Sequence, residues 1–173
     1  LALSIDSFVQ HSIEEELKLI AETYKPESAT IIVSDPHSGF ILGLSNYPTF
    51  DPNHYSKYEI SSHKNRALTD PIEPGSTFKI VAASSALEEG LVNIHDTFDC
   101  SIPALRMPTG YVARLPKDWK PFGVLSVEGI VTNSSNRGAA HLGTLVGYDH
   151  FYEYVRRFGF GERTGLNLGV ESR

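Results

Sequence analysis

The sequence contains few of the residues from which disulfides, metal sites and membrane spans are built. Its 173 residues include one cysteine, one methionine and one tryptophan. A single cysteine, Cys100, cannot form an internal disulfide, and we expect it to fill space in the core. None of the seven histidines stands four residues from another, a spacing typical of metal sites on helices. No apolar run approaches the length that crosses a bilayer. We therefore expect no metal and no cofactor.

The sequence also lacks runs of basic residues. Its formal net charge of -6 argues against nucleic acid or an anionic membrane surface as a direct partner. With 40% hydrophobic residues, the chain is long enough to bury the core of one domain. Because it begins at Leu1 and not at a methionine, we expect it to be a piece of a longer protein.

Periodicity predicts a helix followed by a β-hairpin near the start of the chain. Residues 29–34 and 40–45 are rich in β-forming side chains, and the segment between them has turn chemistry at every position. Apolar residues recur at helical spacing over residues 7–24, and the predicted buried stripe comprises Ile13, Leu17, Ile20, Ala21 and Tyr24.

Two later stretches predict irregular structure, and another helix follows them. Residues 46–72 are polar and predict a loop, while prolines and glycine break any regular pattern over residues 91–124. Residues 149–158 predict a helix with Asp149 as its N-cap and Gly159 as its stop. Its apolar stripe would consist of Phe151, Tyr154, Val155 and Phe158.

The segment around Ser76 carries the first chemical signal. A Pro-Gly turn precedes Ser76, and the apolar run that follows it predicts a helix closed by Gly90. Residues three apart share a helix face, so the Ser76 hydroxyl should lie beside the Lys79 ammonium. Burial would disfavour the charged lysine, whose neutral amine could then take the serine proton. A capping serine beside a solvated lysine is an equally good interpretation. The expected apolar neighbours are Phe78, Ile80 and Val81.

The chain contains a second Ser-x-x-Lys pair, formed by Ser61 and Lys64. No turn precedes this pair and no apolar helix follows it. We interpret Ser61 as a solvated loop residue. The spacing alone therefore carries little weight, and only the sequence context distinguishes Ser76.

A compact polar run at residues 132–136 carries the second signal. It lies between two segments of helical character, and it places Ser134 two residues from Asn136. A hydroxyl and an amide in such a connector can point into one cleft, where they can relay a proton and hold a substrate amide. A helix cap is the alternative, since serine and asparagine are favoured there.

Ser-x-x-Lys followed by Ser-x-Asn is the signature of penicillin-binding proteins and serine β-lactamases. The chain resembles a class B penicillin-binding protein transpeptidase domain over nearly its whole length. The resemblance implies an α+β transpeptidase fold of this type. Residues 1–173 would form the N-terminal part of a single domain, with a helical subdomain and the first β-hairpin of the antiparallel sheet. Beyond the two motifs, the resemblance extends to residues 3–6 with Gln10, 31–36, 39–44, 47–53, 65–67, 159–161 and 164–165.

The third motif of the family, Lys-Thr-Gly, does not occur in the sequence. The segment from Arg163 to Gly165 imitates it but lies in a glycine-rich turn after a predicted helix, where the family carries a separate Thr-Gly. We therefore expect the third-motif strand and the C-terminal helix to be absent from this chain. We also expect the chain alone to be a poor catalyst.

The resemblance implies a peptidoglycan D,D-transpeptidase that acts through an acyl-enzyme on Ser76. Its ligands would be stem peptides ending in D-Ala-D-Ala, and β-lactams that mimic them. The backbone N–H of Ser76 would be one oxyanion donor. Lys79 would be the base, Ser134 a proton relay, and Asn136 the group that holds Lys79 and the substrate amide. Further substrate-binding residues would be Thr77, Trp119 and Ser135.

The resemblance also implies a setting in the cell. We expect the extracytoplasmic side of the bacterial inner membrane, an N-terminal anchor outside this chain, and membership of a cell-wall synthesis complex. An unpaired hairpin edge would allow this chain to dimerise. A β-lactam sensor and a non-catalytic scaffold remain alternative functions. Glu89 to Asn93 resembles the deacylating segment of class A β-lactamases but precedes the Ser134 loop, so no base for rapid hydrolysis is expected.

Overall fold

The computed structural model describes residues 2–107 and 110–166. The chain divides into two compact units, with the division after Pro71 and a second unit of Ile72–Gly165. Helices and antiparallel strand pairs occupy separate stretches of the chain, which is the predicted α+β arrangement. Every residue of the two predicted motifs lies in the second unit.

The first unit is built from helix α1 (Ser7–Tyr24) and a hairpin of β1 (Ala29–Ser34) and β2 (Ile41–Tyr47). Asp6 caps α1 through bonds from the backbone N–H groups of the first turn. The predicted helix is confirmed, and Ile13 and Leu17 are buried. Tyr24 was wrongly placed in the buried stripe: it is 77% exposed, because it lies in the last turn of α1.

The two edges of this hairpin are not equivalent. The Gln10 amide from α1 lies along β2, where its Oε1 accepts from Leu44 N–H at 2.9 Å and its Nε2 donates to the Leu44 carbonyl at 3.1 Å. Leu44 pairs with Ile32 across the ladder. Because both backbone groups of Leu44 point away from β1, those of Ile32 point away from β2. No third strand joins this sheet among the described residues, so the outer edge of β1 lacks a strand partner there.

Residues 46–72 contain more regular structure than the predicted loop. They form two short 3₁₀ helices, Pro52–Lys57 and Ile60–His63, and one turn of helix, α2 (Arg66–Thr69). Asp51 caps the first of these by accepting from Asn53 N–H. Such single turns depend on local caps, which a search for hydrophobic periodicity does not detect.

The second unit is a cluster of helices around one apolar core. Helix α3 (Lys79–Glu88) contacts α5 (Asn136–Val146) and α6 (Tyr148–Arg157), and α4 (Val127–Thr132) packs against α5. Cys100 is fully buried, which confirms its space-filling role. The core consists of Ala82, Ala83, Ala86, Val92, Cys100, Val127, Ile130, Leu142 and Val146.

Two small antiparallel sheets replace the irregular structure predicted for residues 91–124. The first pairs β3 (Thr97–Asp99) with β6 (Val124–Ser126). The second pairs β4 (Ala104–Arg106) with β5 (Val112–Arg114). Each strand has three residues, too few to show an alternating pattern, which explains why the sequence did not predict them.

Helix α6 confirms the predicted helix but corrects two details. Its N-cap is Gly147, with a backbone φ of +79°, whereas Asp149 lies inside the first turn. Phe158 was expected in the apolar stripe but is 50% exposed. The helix stops before Gly159 as predicted, and residues 163–166 have no regular secondary structure. The Arg163 to Gly165 segment is therefore not on a strand.

Candidate active site

Ser76 lies at the entrance to helix α3. A 3₁₀ helix (Gly75–Phe78) leads directly into α3, and Gly75 makes the turn with a φ of +58°, a conformation that favours glycine. The Ser76 side chain is exposed. As the second residue of the 3₁₀ helix, Ser76 keeps its N–H outside the helical hydrogen bonds. A reacting group therefore has access to both the hydroxyl and the amide.

Lys79 points at Ser76, as the Ser-x-x-Lys spacing predicted. Its Nζ donates to Ser76 Oγ at 3.2 Å. It also donates to Ser134 Oγ at 2.8 Å and to the Ser134 carbonyl at 2.6 Å. These contacts bind the first motif to the second.

Ser134 closes a triangle of polar atoms. It lies in the connector between α4 and α5, and its Oγ donates to Ser76 Oγ at 2.8 Å. Its backbone φ is +55°, an uncommon conformation for a residue with a side chain. This conformation puts both the hydroxyl and the carbonyl of Ser134 within reach of Lys79.

Burial favours the neutral form of Lys79. Desolvation lowers the pKa of the Lys79 ammonium below its usual value, and the negative charge of Asp118 partly opposes that effect. A neutral amine can still donate to both oxygens of Ser134, while its lone pair accepts the Ser76 proton. The geometry therefore suits a serine nucleophile activated by lysine.

The surroundings of this pair are less apolar than the sequence suggested. Val81 is buried as expected, but Ile80 is 56% exposed because it faces outward from α3. Phe78 packs edge-to-face on Phe151 and Phe160, with ring centroids 6.0 Å and 5.1 Å apart. The aromatic contacts anchor the start of α3 and leave Ser76 open.

Ser135 lies beneath the surface, next to Ser134 in the connector. It is fully buried, and its hydroxyl accepts from Gly138 N–H at 2.9 Å, which makes it the N-cap of α5. In this structure Ser135 serves as a buried helix cap, and substrate contact by Ser135 stays a prediction. The capping alternative is correct for this residue, since an N-cap satisfies the free N–H groups of the first helical turn.

Asn136 lies beside Ser134 but has a different partner from the one expected. Its Nδ2 donates to the Lys117 carbonyl at 2.6 Å. Within the described part of the chain, Lys79 Nζ donates to Ser76 and Ser134. The expected contact between Asn136 and Lys79 is thus not formed in this structure, and a role in holding a substrate amide stays a prediction.

Thr77 and Trp119 are both exposed near these motifs. The Thr77 hydroxyl donates to the Pro74 carbonyl at 2.5 Å, a bond that supports the turn before Ser76. The Trp119 Nε1 donates to the Asn133 carbonyl at 3.2 Å, next to Ser134. Its ring is 71% exposed and packs edge-to-face on Phe122. Substrate contact by either residue stays a prediction.

Sequence reasoning missed Asp118. Its carboxylate accepts from Ser135 Oγ at 3.1 Å and from the backbone N–H groups of Asn136 and Arg137. No sequence signal marked this residue, because it lies in a proline-interrupted stretch without periodicity. Only the fold brings it to the Ser134 connector.

Two other segments that resemble catalytic motifs, the Ser61–Lys64 pair and the segment that begins at Glu89, have different partners. Lys64 forms an ion pair with Asp70, which explains why the Ser61 pair does not resemble the Ser76 pair. Glu89 follows the last residue of α3 and accepts from the Tyr154 hydroxyl at 2.8 Å. Ser76 precedes the first residue of this ten-residue helix, so α3 separates the two by about 15 Å. Glu89 is therefore not placed to activate a water at Ser76.

We also considered cavities, metal-ligating clusters and membrane-spanning helices among the described residues. A cavity of about 690 Å³ lies between α1 and β2 and contains no member of the Ser76 triangle. No group of three or more metal-ligating side chains occurs within residues 2–107 and 110–166. In the same residues no helix is both long and apolar enough to cross a membrane.

Comparison with protein families gives a match over most of the chain. The model of the penicillin-binding protein transpeptidase domain matches residues 29–173. This range includes all the residues of the Ser76, Lys79 and Ser134 group.

Individual proteins match as well. Stage V sporulation protein D of Bacillus subtilis is 33% identical over 98% of this chain, and the probable peptidoglycan D,D-transpeptidase PenA of Neisseria gonorrhoeae is 31% identical over 93%. The chain spans 26% and 27% of their lengths. A crystal structure of a peptidoglycan glycosyltransferase from Burkholderia ambifaria superposes with a TM-score of 0.81 at 27% identity. That match covers 99% of this chain and 49% of the other.

Proposed function

The chain belongs to the penicillin-binding protein transpeptidase family, and from this premise we propose that it supplies the nucleophile of a peptidoglycan D,D-transpeptidase. The observation that carries the proposal is the triangle of Ser76 Oγ, Lys79 Nζ and Ser134 Oγ, with sides of 2.8 to 3.2 Å. The class B resemblance found in the sequence agrees with these relatives.

Acylation begins with Ser76. Neutral Lys79 takes the hydroxyl proton as Ser76 Oγ attacks the carbonyl carbon of the penultimate D-Ala. The developing oxyanion accepts a hydrogen bond from the Ser76 backbone N–H, which the start of the helix leaves available. The proton then passes from Lys79 through Ser134 to the departing D-Ala nitrogen, and the C–N bond breaks. An ester between Ser76 and the stem peptide remains.

Deacylation runs the same proton path in reverse. The amine of a neighbouring stem peptide attacks the ester carbonyl, its proton returns through Ser134 and Lys79, and Ser76 leaves with its hydroxyl restored. The product is a peptide cross-link. A β-lactam has a strained amide at the position of the D-Ala-D-Ala bond, so it acylates Ser76 by the first half of this sequence.

We further propose that the enzyme works as part of a longer, membrane-anchored protein in a cell-wall synthesis complex of the bacterial envelope. The chain spans about a quarter of the curated relatives, and its sequence has no Lys-Thr-Gly. In the family that motif completes the site. We therefore expect the 173 residues alone to react poorly.

Intact mass spectrometry after incubation with penicillin tests this function. It should be applied to this chain and to a longer version that includes a Lys-Thr-Gly segment. We expect one penicilloyl adduct on the longer protein, lost in Ser76→Ala and kept in Ser61→Ala. Ser61 is the control because it belongs to the second Ser-x-x-Lys pair, which we interpret as a solvated loop. A folded longer protein that forms no adduct would contradict the proposal and favour a scaffold. Rapid penicillin hydrolysis without an adduct would point to a β-lactamase.

A further inference from the structure

The three consecutive residues 117–119 bind the Ser134 connector along its whole length. The Lys117 carbonyl accepts from the side chain of Asn136, and the Trp119 ring donates to the Asn133 carbonyl. Between them, the carboxylate of Asp118 reaches the residues that follow Ser134. The bonded residues of this segment and the connector are 14 to 19 positions apart in sequence, so these are tertiary contacts.

Asp118 uses both carboxylate oxygens in these contacts. Oδ2 accepts from Ser135 Oγ at 3.1 Å, while Oδ1 accepts from Asn136 N–H and, at 3.2 Å, from Arg137 N–H. The two amides belong to the first turn of α5, an eleven-residue helix whose N-terminus favours a negative charge. Because Ser135 is fully buried, its hydroxyl has no solvent to replace a lost partner.

These bonds have a direct bearing on Ser134. Its φ of +55° is uncommon for a residue other than glycine, so neighbouring contacts must maintain it. Ser134 N–H donates to the Val131 carbonyl and Ser135 N–H to the Ile130 carbonyl, which fix the connector on its α4 side. Asp118 fixes it on the α5 side. Ser134 is thus held from both ends with its hydroxyl on Ser76 and Lys79.

Given the acylation proposed above, we propose that Asp118 is a positioning residue. Its carboxylate holds the Ser134 connector so that the Ser134 hydroxyl stays within hydrogen-bond distance of both Ser76 and Lys79. Asp118 makes no hydrogen bond to Ser76, Lys79 or Ser134 itself, and it acts through Ser135 and the backbone of Asn136.

The charge of Asp118 gives it a second effect that a purely structural cap would not have. Its field acts on Lys79 and opposes the lowering of the lysine pKa by desolvation. Among the described residues, Lys79 Nζ donates hydrogen bonds to the two serine hydroxyls and the Ser134 carbonyl, which carry no charge. Removing the Asp118 charge should therefore move the Lys79 pKa further down, and neutral Lys79 should persist to lower pH.

The test uses the longest natural protein that contains this chain and compares Asp118→Ala, Asp118→Asn and Asp118→Glu with wild type. The rate of acylation by penicillin is measured from pH 5 to 10, and thermal unfolding is recorded for each variant. Asp118→Ala should acylate about 10- to 100-fold more slowly, since small displacements of a reacting group cost this much. Asp118→Asn keeps the shape of the side chain but removes its charge. The acid limb of the pH–rate profile of this variant should therefore shift to lower pH. Asp118→Glu should recover part of the rate.

Asp96→Asn is the matched control. The Asp96 carboxylate also accepts a backbone N–H, from Asn93 at 2.7 Å, and among the described residues no hydrogen bond links it to the connector. Its variant should keep both the rate and the pH profile. Wild-type rate and profile in folded Asp118→Ala would overturn the proposal. If Asp118→Ala does not fold, wild-type rate and profile in Asp118→Asn would overturn it equally.

A second measurement separates this proposal from the proposed function. The pKa of Lys79 can be followed by NMR of labelled lysine, with no substrate present. A wild-type protein that penicillin does not acylate would refute the function. A Lys79 pKa that is lower in Asp118→Asn than in wild type would still support the link from Asp118 to the triangle, and an unchanged value would refute it.

Discussion

The Ser134 hydroxyl donates a 2.8 Å hydrogen bond to the Ser76 hydroxyl, although 58 residues separate the two in the chain. Lys79 bonds to both oxygens, so the three side chains form one hydrogen-bonded group. Ser134 reaches this position from the start of α5, which packs against α3. In the proposed mechanism, the packing of these two helices therefore decides whether the Ser76 hydroxyl can be activated and its proton relayed.

Replacing Ser134 with alanine should remove the proton relay while Lys79 and Ser76 remain in contact. We expect acylation by penicillin to fall about 10²- to 10⁴-fold, the usual contribution of a positioned proton donor. Ser134→Gly should lose the same activity. Because glycine adopts the φ of +55° at position 134 without strain, the thermal stability of Ser134→Gly should be at least that of Ser134→Ala. Ser84→Ala is the control, because Ser84 Oγ donates to carbonyls of α3 itself, those of Ile80 and Val81. Wild-type acylation in Ser134→Ala would contradict the relay.

The acylation rate should depend on the charge of Lys79. Because desolvation lowers the pKa of this lysine, its neutral form appears at lower pH than in an ordinary lysine, which titrates near about 10.4. The rate should therefore rise with pH and level off below that value. Lys79→Arg should show no such rise, since arginine stays protonated. Lys64→Arg changes the second Ser-x-x-Lys pair and should keep the wild-type dependence of the acylation rate on pH. A rate independent of pH would argue against Lys79 as the base.

Gly138 and Gly143 lie on the same helix, α5, and should respond oppositely to alanine. A methyl group at Gly138 would come within 2.4 to 2.9 Å of the Ile130 side chain, which is fully buried and cannot move aside. Gly138→Ala should lower the free energy of unfolding by about 1–3 kcal/mol. At Gly143 the nearest atoms, from Phe151, lie at 3.6 Å, an ordinary contact. Gly143→Ala should raise the free energy of unfolding by up to about 1 kcal/mol. Equal melting temperatures would contradict this account.

Trp119 should report ligand binding by fluorescence. It is the single tryptophan of the chain, its ring is 71% exposed, and its Nε1 bonds to the Asn133 carbonyl beside Ser134. Penicillin bound at Ser76 should shield the ring and shift its emission to shorter wavelength. In Ser76→Ala the shift should reverse on dilution, because no covalent bond forms. If the emission does not change while an adduct forms, Trp119 does not line the ligand site.

Hydrogen exchange should distinguish the two edges of the first hairpin. The Leu44 amide is bonded to Gln10, whereas the Ile32 amide points to the outer edge of β1, where no third strand pairs with it among the described residues. In the 173-residue chain, Ile32 should therefore exchange much faster than Leu44. Gln10→Ala should bring the Leu44 rate close to that of Ile32. Slow exchange at Ile32, in a sample that is monomeric by scattering, would contradict an open edge. Slow exchange in a dimer would indicate that a second copy covers it.

Local patterns were sufficient for the parts of the fold that lie close together in sequence. Helical periodicity predicted α1 with its exact bounds, and turn chemistry predicted the hairpin. The Ser-x-x-Lys spacing predicted the contact between the Lys79 and Ser76 side chains, since both residues lie within one helical turn. Similar reasoning found the polar connector at Ser134, because helical segments flank it on both sides. In each case the determining interactions span a few residues.

The tertiary structure decided how these local elements meet. Sequence motifs named Ser134, Ser135 and Asn136 together, but packing buries Ser135 as a helix cap and turns the Asn136 side chain to Lys117. The short strands β3 and β6 gain regular structure only by pairing with each other. No sequence pattern marked Asp118, and only the folded structure shows that its carboxylate contacts the connector. Sequence motifs identified Ser76, Lys79 and Ser134, and tertiary packing decided which side chains touch them, because contacts between distant residues depend on the whole core.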